Sequence, residues 1–285
     1  MHIPNDKTSE GEFMKIIMSF IVAVFILCPL HAQDSTAIVQ DIDSAAVPEE
    51  VIAPEASLMA EADALSASWK HQEAAAKYLE AAAIDSNNYD AYWKAADELT
   101  KLADNLPGEK KDLKESTFQQ ASDLCDKAIA VNPNGWEGHT YKAIALGRLA
   151  LFQGGKKKIN LSKAVKAEAD KAMELNPEAD TPYHILGRWH QNLANLSWVL
   201  RAAAKVIYGG VPPGSNEEAV AMFKKAIELN PKHIVHYLEL AKTYKLMGKK
   251  DLMVGPLETL LALPSVQEKD DEYKEEAKAM LKKLE

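Results

Sequence analysis

His233-x2-His236-x2-Glu239 is the set of residues in this chain whose types and spacing come nearest to a metal site. Three-residue steps along a helix keep two imidazoles and a carboxylate within reach of one divalent ion. A metal centre usually draws further ligands from other elements, and Tyr237, Leu240 and Tyr244 mark this stretch as an ordinary repeat helix, so the reading is solvated histidines and no metal. Cys125 would need a low pKa and exposure to act as a nucleophile. It stands where Tyr78, Ala169, Phe223 and Leu257 stand in related segments, so a packed thiol is expected and no catalytic residue is assigned. Gly154-Gly155-Lys156-Lys157-Lys158 offers cations to a phosphate but lacks the full G-x4-G-K-[ST] pattern. It reads as a solvated turn before a helix opened by Asn160 or Ser162. No cofactor is implied, and the chain is expected not to be an enzyme.

The remaining chemistry lies in Thr181 to Tyr208, which has no proline after Pro182 and a single glycine. One helix over this stretch would be roughly 40 Å long. Leu193, Leu196, Leu200, Ala203 and Ile207 step by three or four and predict one buried stripe. Rotated from it lie Asn195, Trp198, Arg201, Lys205 and Tyr208. Rings and cations at this spacing suit either packing with extended stems or a ligand groove. Because a solenoid needs no such extension to bury its core, the expectation is a groove bounded by Trp198 and Tyr208, with Asn195 on the same stripe. Arg201 and Lys205 would meet an anionic group through charge-assisted hydrogen bonds, and Arg188 and Trp189 would support the root.

The elements that must hold these residues come in pairs. Tyr183-x2-Leu186-Gly187-x2-His190, followed by Ala219-x3-Phe223, Ala226 and Pro231, follows the tetratricopeptide pattern of two helices per repeat. A small residue where two helices touch recurs as Ala62, Ala96, Ala143, Gly187 and Ala241. The second helices carry Ala74, Ala121, Val165, Ala219 and Met253, then seven residues later Ala81, Ala128, Ala172, Ala226 and Leu260. Stops follow at Asp85-Ser86, Asn132-Pro133, Asn176-Pro177, Asn230-Pro231 and Pro264. The expected fold is all-α: a right-handed α-solenoid of about five tetratricopeptide-like helix pairs over residues 55–285. The middle three pairs carry inserts between first and second helix, which would extend those helices along one edge of the stack. In solenoids such an edge is often the binding face.

Composition bounds the partners. With 47% hydrophobic and 26% charged residues the chain is globular, and a net charge of −9 argues against nucleic acid. Met14-Lys15, the apolar run Ile16 to Leu27 and a small residue at Ala32 read as a signal peptide over 14–32, too short to span a bilayer. Residues 1–13 read as an upstream start, untranslated or removed, and 33–54 as an acidic disordered linker. Bulky Phe25-Ile26-Leu27 argue against acylation of Cys28. An exported chain, periplasmic or secreted, with no transmembrane span after cleavage and the single cysteine Cys125, is expected.

The segments GGKKKINLSKAVKAEADKAMELNP, HILGRWHQNLANLSWVLRAAAKVIYGGVPPGS and EEAVAMFKKAIELNP resemble the regulator of microtubule dynamics family of tetratricopeptide-like proteins. The resemblance covers about Gly154 to Glu285 closely and 55–150 more loosely. Animal members are linked to microtubules and to membrane contact sites, and a lipid-binding tetratricopeptide fold is attributed to one branch. The resemblance thus implies a helical repeat fold, a groove and no catalysis. Together these features predict a scaffold for a protein or peptide partner, with a lipid or other anionic amphiphile in the groove of helix 181–208 as the alternative.

Overall fold

The computed structural model describes residues 54–284. The signal-peptide and upstream-start expectations lie outside them, as does the linker expectation except at Pro54, which opens the first helix. Twelve helices and no strand make up the described residues. The first pair is α1 (Pro54–Ala67) and α2 (His71–Ile84); the second is α3 (Tyr89–Asn105) and α4 (Lys111–Val131). The third is α5 (Trp136–Leu149) and α6 (Gly155–Leu175). In the fourth, α7 (Asp180–Ala194) packs on α9 (Asn216–Leu229), with α8 (Trp198–Tyr208) inserted between them in sequence. A fifth pair, α10 (Ile234–Leu246) and α11 (Asp251–Ala262), is followed by a single closing helix, α12 (Asp270–Leu281). The architecture is the right-handed α-solenoid of five pairs that the repeat spacing predicts, with α4 and α6 the longest helices at 21 residues each.

Small side chains set the close approach. Ala62, Ala96, Ala143 and Ala241 are buried, as are Ala74, Ala121, Val165, Ala219 and Met253 and the residues seven positions further on. Cys125 shares the fate of Tyr78, Ala169, Phe223 and Leu257, all buried, and burial pushes its thiol pKa up, so it is a packing group. At the fourth pair a Cβ on Gly187 would meet the Phe223 ring at 2.6–2.8 Å, so glycine is what lets that ring fill the interface. Four second helices end on the same device. The backbone N–H of Asp85, Asn132, Asn176 and Asn230 donates to the carbonyl four residues back. The Asp85, Asn132 and Asn176 side chains then accept the N–H two residues on.

The three inserts adjoin one another. Gln153 Nε2 donates to Glu115 Oε1 and Phe152 lies 5.9 Å from Phe118, joining the second and third. Gly155 lies against the Tyr208 hydroxyl, joining the third and fourth. The single helix expected over 181–208, however, is two helices. Asn195 closes α7, its Nδ2 donating to Gln191 O at 2.7 Å and to Asn216 Oδ1 at 2.7 Å. Ser197 opens α8 with its Oγ accepting the Leu200 N–H. Short polar side chains that bond the backbone locally compete with helix continuation, and two of them within three residues end it here.

Also outside the sequence expectation is the return of the C-terminal segment to the start of the solenoid. Glu268 Oε2 pairs with His71 Nε2 at 3.0 Å and Glu268 Oε1 accepts from Asn105 Nδ2 at 3.0 Å. The other His71 nitrogen meets the buried carboxylate of Glu98 at 2.7 Å, which also accepts from Ser66 Oγ and Lys101 Nζ.

Candidate functional site

Two regions hold the residues that sequence reasoning singled out, and a third collects residues it did not join. On α7, Trp189 is buried and donates from Nε1 to Ser162 O at 2.8 Å, while Lys166 lies 5.8 Å above its ring. Arg188 reaches across to the next pair and binds Glu239 through Nη1 at 3.1 Å. Both therefore hold neighbouring pairs together at the root of the insert. Asn195 is the helix-ending residue described above. On α8, Arg201 Nη2 donates to Leu193 O at 2.6 Å, so its guanidinium fastens α8 to the end of α7. Lys205 is exposed. Trp198 and Tyr208 sit at opposite ends of the helix, which at 1.5 Å per residue puts them about 15 Å apart.

The buried stripe expected on this stretch is also corrected. Leu200, Ala203 and Ile207 are exposed, and Ala204 is the buried residue of α8. The break at 195–197 changes the helix direction, so a register extrapolated from Leu193 points the wrong side inward. What the structure brings together here is an exposed apolar helix beside Lys156, Lys157 and Lys158, which are exposed but form the first turn of α6, so the expected turn ahead of a helix opened by Asn160 or Ser162 is corrected: the helix already starts at Gly155.

The histidines are arranged differently from the one-helix set. Glu239 turns away to Arg188 and Lys242. The carboxylate that meets His233 and His236 is Asp180, at the start of α7: Oδ2 lies 3.1 Å from His233 Nδ1, 2.8 Å from His236 Nε2 and 3.1 Å from Asn230 Nδ2. His236 is fully buried, not solvated. Because it donates to Asp180 through Nε2, its Nδ1 accepts the Nδ1–H of His184 at 2.9 Å. Burial alone would raise the Asp180 carboxyl, but the hydrogen bonds it accepts from His233 and His236 hold it well below the usual carboxylate range. Burial, then repulsion from His236 and Arg188, holds His184 well below its ordinary value. Ligand atoms of Asp180, His233 and His236 lie within 4.8 Å of one another, the geometry of a set able to meet one divalent ion. Every one of them is already satisfied by hydrogen bonds between the fourth and fifth pairs. Asp180 sits 53 residues from His233, and the fold alone reveals that pairing.

The third region is a recess where the two ends of the solenoid meet. Trp69, Lys101, Asp104, His233, Val235, Glu268, Lys269 and Tyr273 line it. Trp69 is 44% exposed and held at φ 59, a left-handed conformation that a bulky residue rarely adopts. Ion pairs also tie successive helix pairs, Asp63 with Lys94, Asp104 with Arg148 and Arg188 with Glu239, and Lys242 with Glu276 ties the fifth pair to the closing helix. No helix among the described residues is long and apolar enough to cross a membrane.

Comparison with known proteins agrees with the repeat fold. Regulator of microtubule dynamics protein 1 of Bos taurus is 30% identical over 200 residues, which cover 70% of this chain and 62% of that protein. Its Caenorhabditis elegans counterpart is 27% identical over 194 residues, covering 68% and 84%. The match thus spans less than two thirds of the bovine protein's length. Among solved structures, a thermophilic TPR protein of Thermus thermophilus superposes with a TM-score of 0.58 at 15% identity, over 80% of this chain and 98% of that one, and shares the fold. The profile of the regulator of microtubule dynamics protein 1-3 family matches residues 58–285, the whole repeat array from α1 onward, and the chain belongs to that family.

Proposed function

We propose that the mature chain is a non-catalytic scaffold, exported to a periplasmic or extracellular compartment, that holds a segment of a partner protein in the recess between the two ends of its solenoid. The observation that carries this reading is Trp69. A large aromatic side chain is left exposed, on strained backbone, at the rim of a recess whose walls offer both signs of charge through Lys101, Asp104, Glu268 and Lys269. Strained, exposed aromatic positions concentrate at binding sites. Mixed charge with one apolar anchor suits a polypeptide better than a nucleic acid or a uniformly anionic ligand. Export is supported by the apolar run Ile16 to Leu27 behind Lys15.

The test is photo-crosslinking in the native cell with a photoreactive amino acid at position 69, and at Glu228 on the exposed side of α9 as reference. A discrete polypeptide adduct at 69, absent at 228 and displaced by a synthetic copy of the captured segment, is expected. Equal labelling at both positions, or adducts of small molecules alone, overturns the reading. Intact mass of the captured chain should start near Gln33, and retention of Met14 to Leu30 would remove the export claim.

A further inference from the structure

Helix α8 is amphipathic in the wrong sense for a soluble protein. At about 100° per residue, Trp198, Val199, Leu200, Ala202, Ala203, Val206 and Ile207 occupy one arc of roughly 200°. That arc is the exposed one, with Trp198 at 80% and Val206 at 87% exposure, and it contains no polar side chain. Six of the twelve large hydrophobic side chains exposed among the described residues lie on these 11 residues. The helix is nonetheless deliberately built. Ser197 caps its start, Gly209 at φ 79 ends it with the Gly210 N–H donating to Ala204 O at 3.0 Å, and Arg201 ties it to α7. A well-capped helix that turns its apolar side to water has a partner outside the chain.

Charge says what that partner is. The chain carries −9 overall, yet neither Leu149–Ala167 nor Thr181–Ser215 contains a single Asp or Glu. The structure joins these two stretches at Gly155 and Tyr208, so Lys156, Lys157 and Lys158 follow directly on the contact at the C-terminal end of the apolar helix, which carries Lys205 itself. Aromatic rings at both ends of the helix, aliphatic side chains between them and cations at the margin are what an interfacial helix on an anionic bilayer needs. A second copy of this chain would be repelled, because a two-fold contact through α8 sets the same cations against one another. We infer that α8, with Lys156 to Lys158 beside it, docks the solenoid onto the surface of an anionic lipid bilayer, lying in the interface plane without crossing it. This surface shares no residue with the recess at Trp69, so its occupancy does not depend on a polypeptide partner.

The experiment is flotation of the full chain with phosphatidylcholine vesicles, with and without phosphatidylglycerol. Binding to the anionic vesicles only is expected. Val206→Asp with Ile207→Asp should reduce the bound fraction roughly tenfold or more. Lys156→Gln, Lys157→Gln and Lys158→Gln together should abolish the preference for anionic lipid. All these side chains are exposed, so the melting temperature should stay at the wild-type value in every variant. As an independent reading, lipids brominated along their chains should quench tryptophan emission in the wild type, and that quenching should be lost in Trp198→Phe. Absence of flotation with either vesicle, flotation unchanged by the aspartates, or a dimer in lipid-free solution that the aspartates dissociate would each overturn the inference.

Discussion

Gly187 leaves room for the Phe223 ring at the contact between α7 and α9. Its place in the Leu-Gly step of a first helix marked it as a contact point, and the Phe223 ring occupies the space a Cβ would need. Gly187→Ala should therefore destabilise by about 1–3 kcal/mol through overpacking. Phe223→Leu in the same chain should recover part of that loss, and a double-mutant cycle in urea measures it. The histidines were less legible. Spacing sets His233, His236 and Glu239 along one helix and reads the histidines as solvated, but His236 is buried and the partner of both imidazoles is Asp180 from another pair, which no local pattern exposes. The arrangement gives a pH dependence with a defined sign. His184 and His236 are both depressed, chiefly by burial, so the unfolded chain binds more protons than the folded one just below the ordinary histidine range. Stability should be full above about pH 6.5 and fall as pH drops through the folded values, by at most about 1.4 kcal/mol per pH unit for each group. Asp180, whose pKa is depressed, adds a further loss only below about pH 4. Thermal unfolding between pH 7 and 5 checks this, and His184→Phe should flatten the slope; an unchanged slope would mean that this histidine is not the buried neutral group described.

At the scale of elements, the boundaries that came from proline, asparagine and small-residue spacing were readable, because each stop is a local device repeated in four second helices. The helix over 181–208 was misread because its apolar periodicity continues across Asn195 and Ser197. The signal that could have corrected it is Ser197 in capping position ahead of Trp198 and Leu200. The closing helix α12 lacks the repeat signature and so escaped the pair search; Asp270 starts it by accepting the Val266 and Gln267 N–H groups at 2.8 Å. Helix α8 buries Ala204 alone, so its opening free energy is the lowest to be expected of the helices in the middle of the array. In lipid-free solution its amides should exchange hydrogen faster than those of α7 and α9. Ser197→Ala should speed that exchange further while leaving the global melting temperature within about one degree, since a cap is worth ~1 kcal/mol and acts only on this helix. Protection of α8 equal to that of α7 would show it to be part of the core.

At the scale of the molecule, five pairs stack as the repeat spacing requires, while the tie between the ends has no sequence signature, since His71 and Glu268 stand 197 residues apart. That tie makes the array more cooperative than an open solenoid. His71→Ala leaves the buried Glu98 without its imidazole partner and should cost roughly 3 kcal/mol, still in one unfolding transition. Two transitions would show that the first pairs unfold separately from the last. The central claim is that the recess formed by this closure holds a polypeptide. Native mass spectrometry of the full chain, purified from its own cells without detergent, tests it most directly. The account predicts a retained polypeptide adduct that is lost in Trp69→Ala with Lys269→Glu, a substitution that breaks no ion pair among the described residues, while the melting temperature of that variant holds; a stoichiometric small amphiphile in its place, or a polypeptide indifferent to those substitutions, would contradict it.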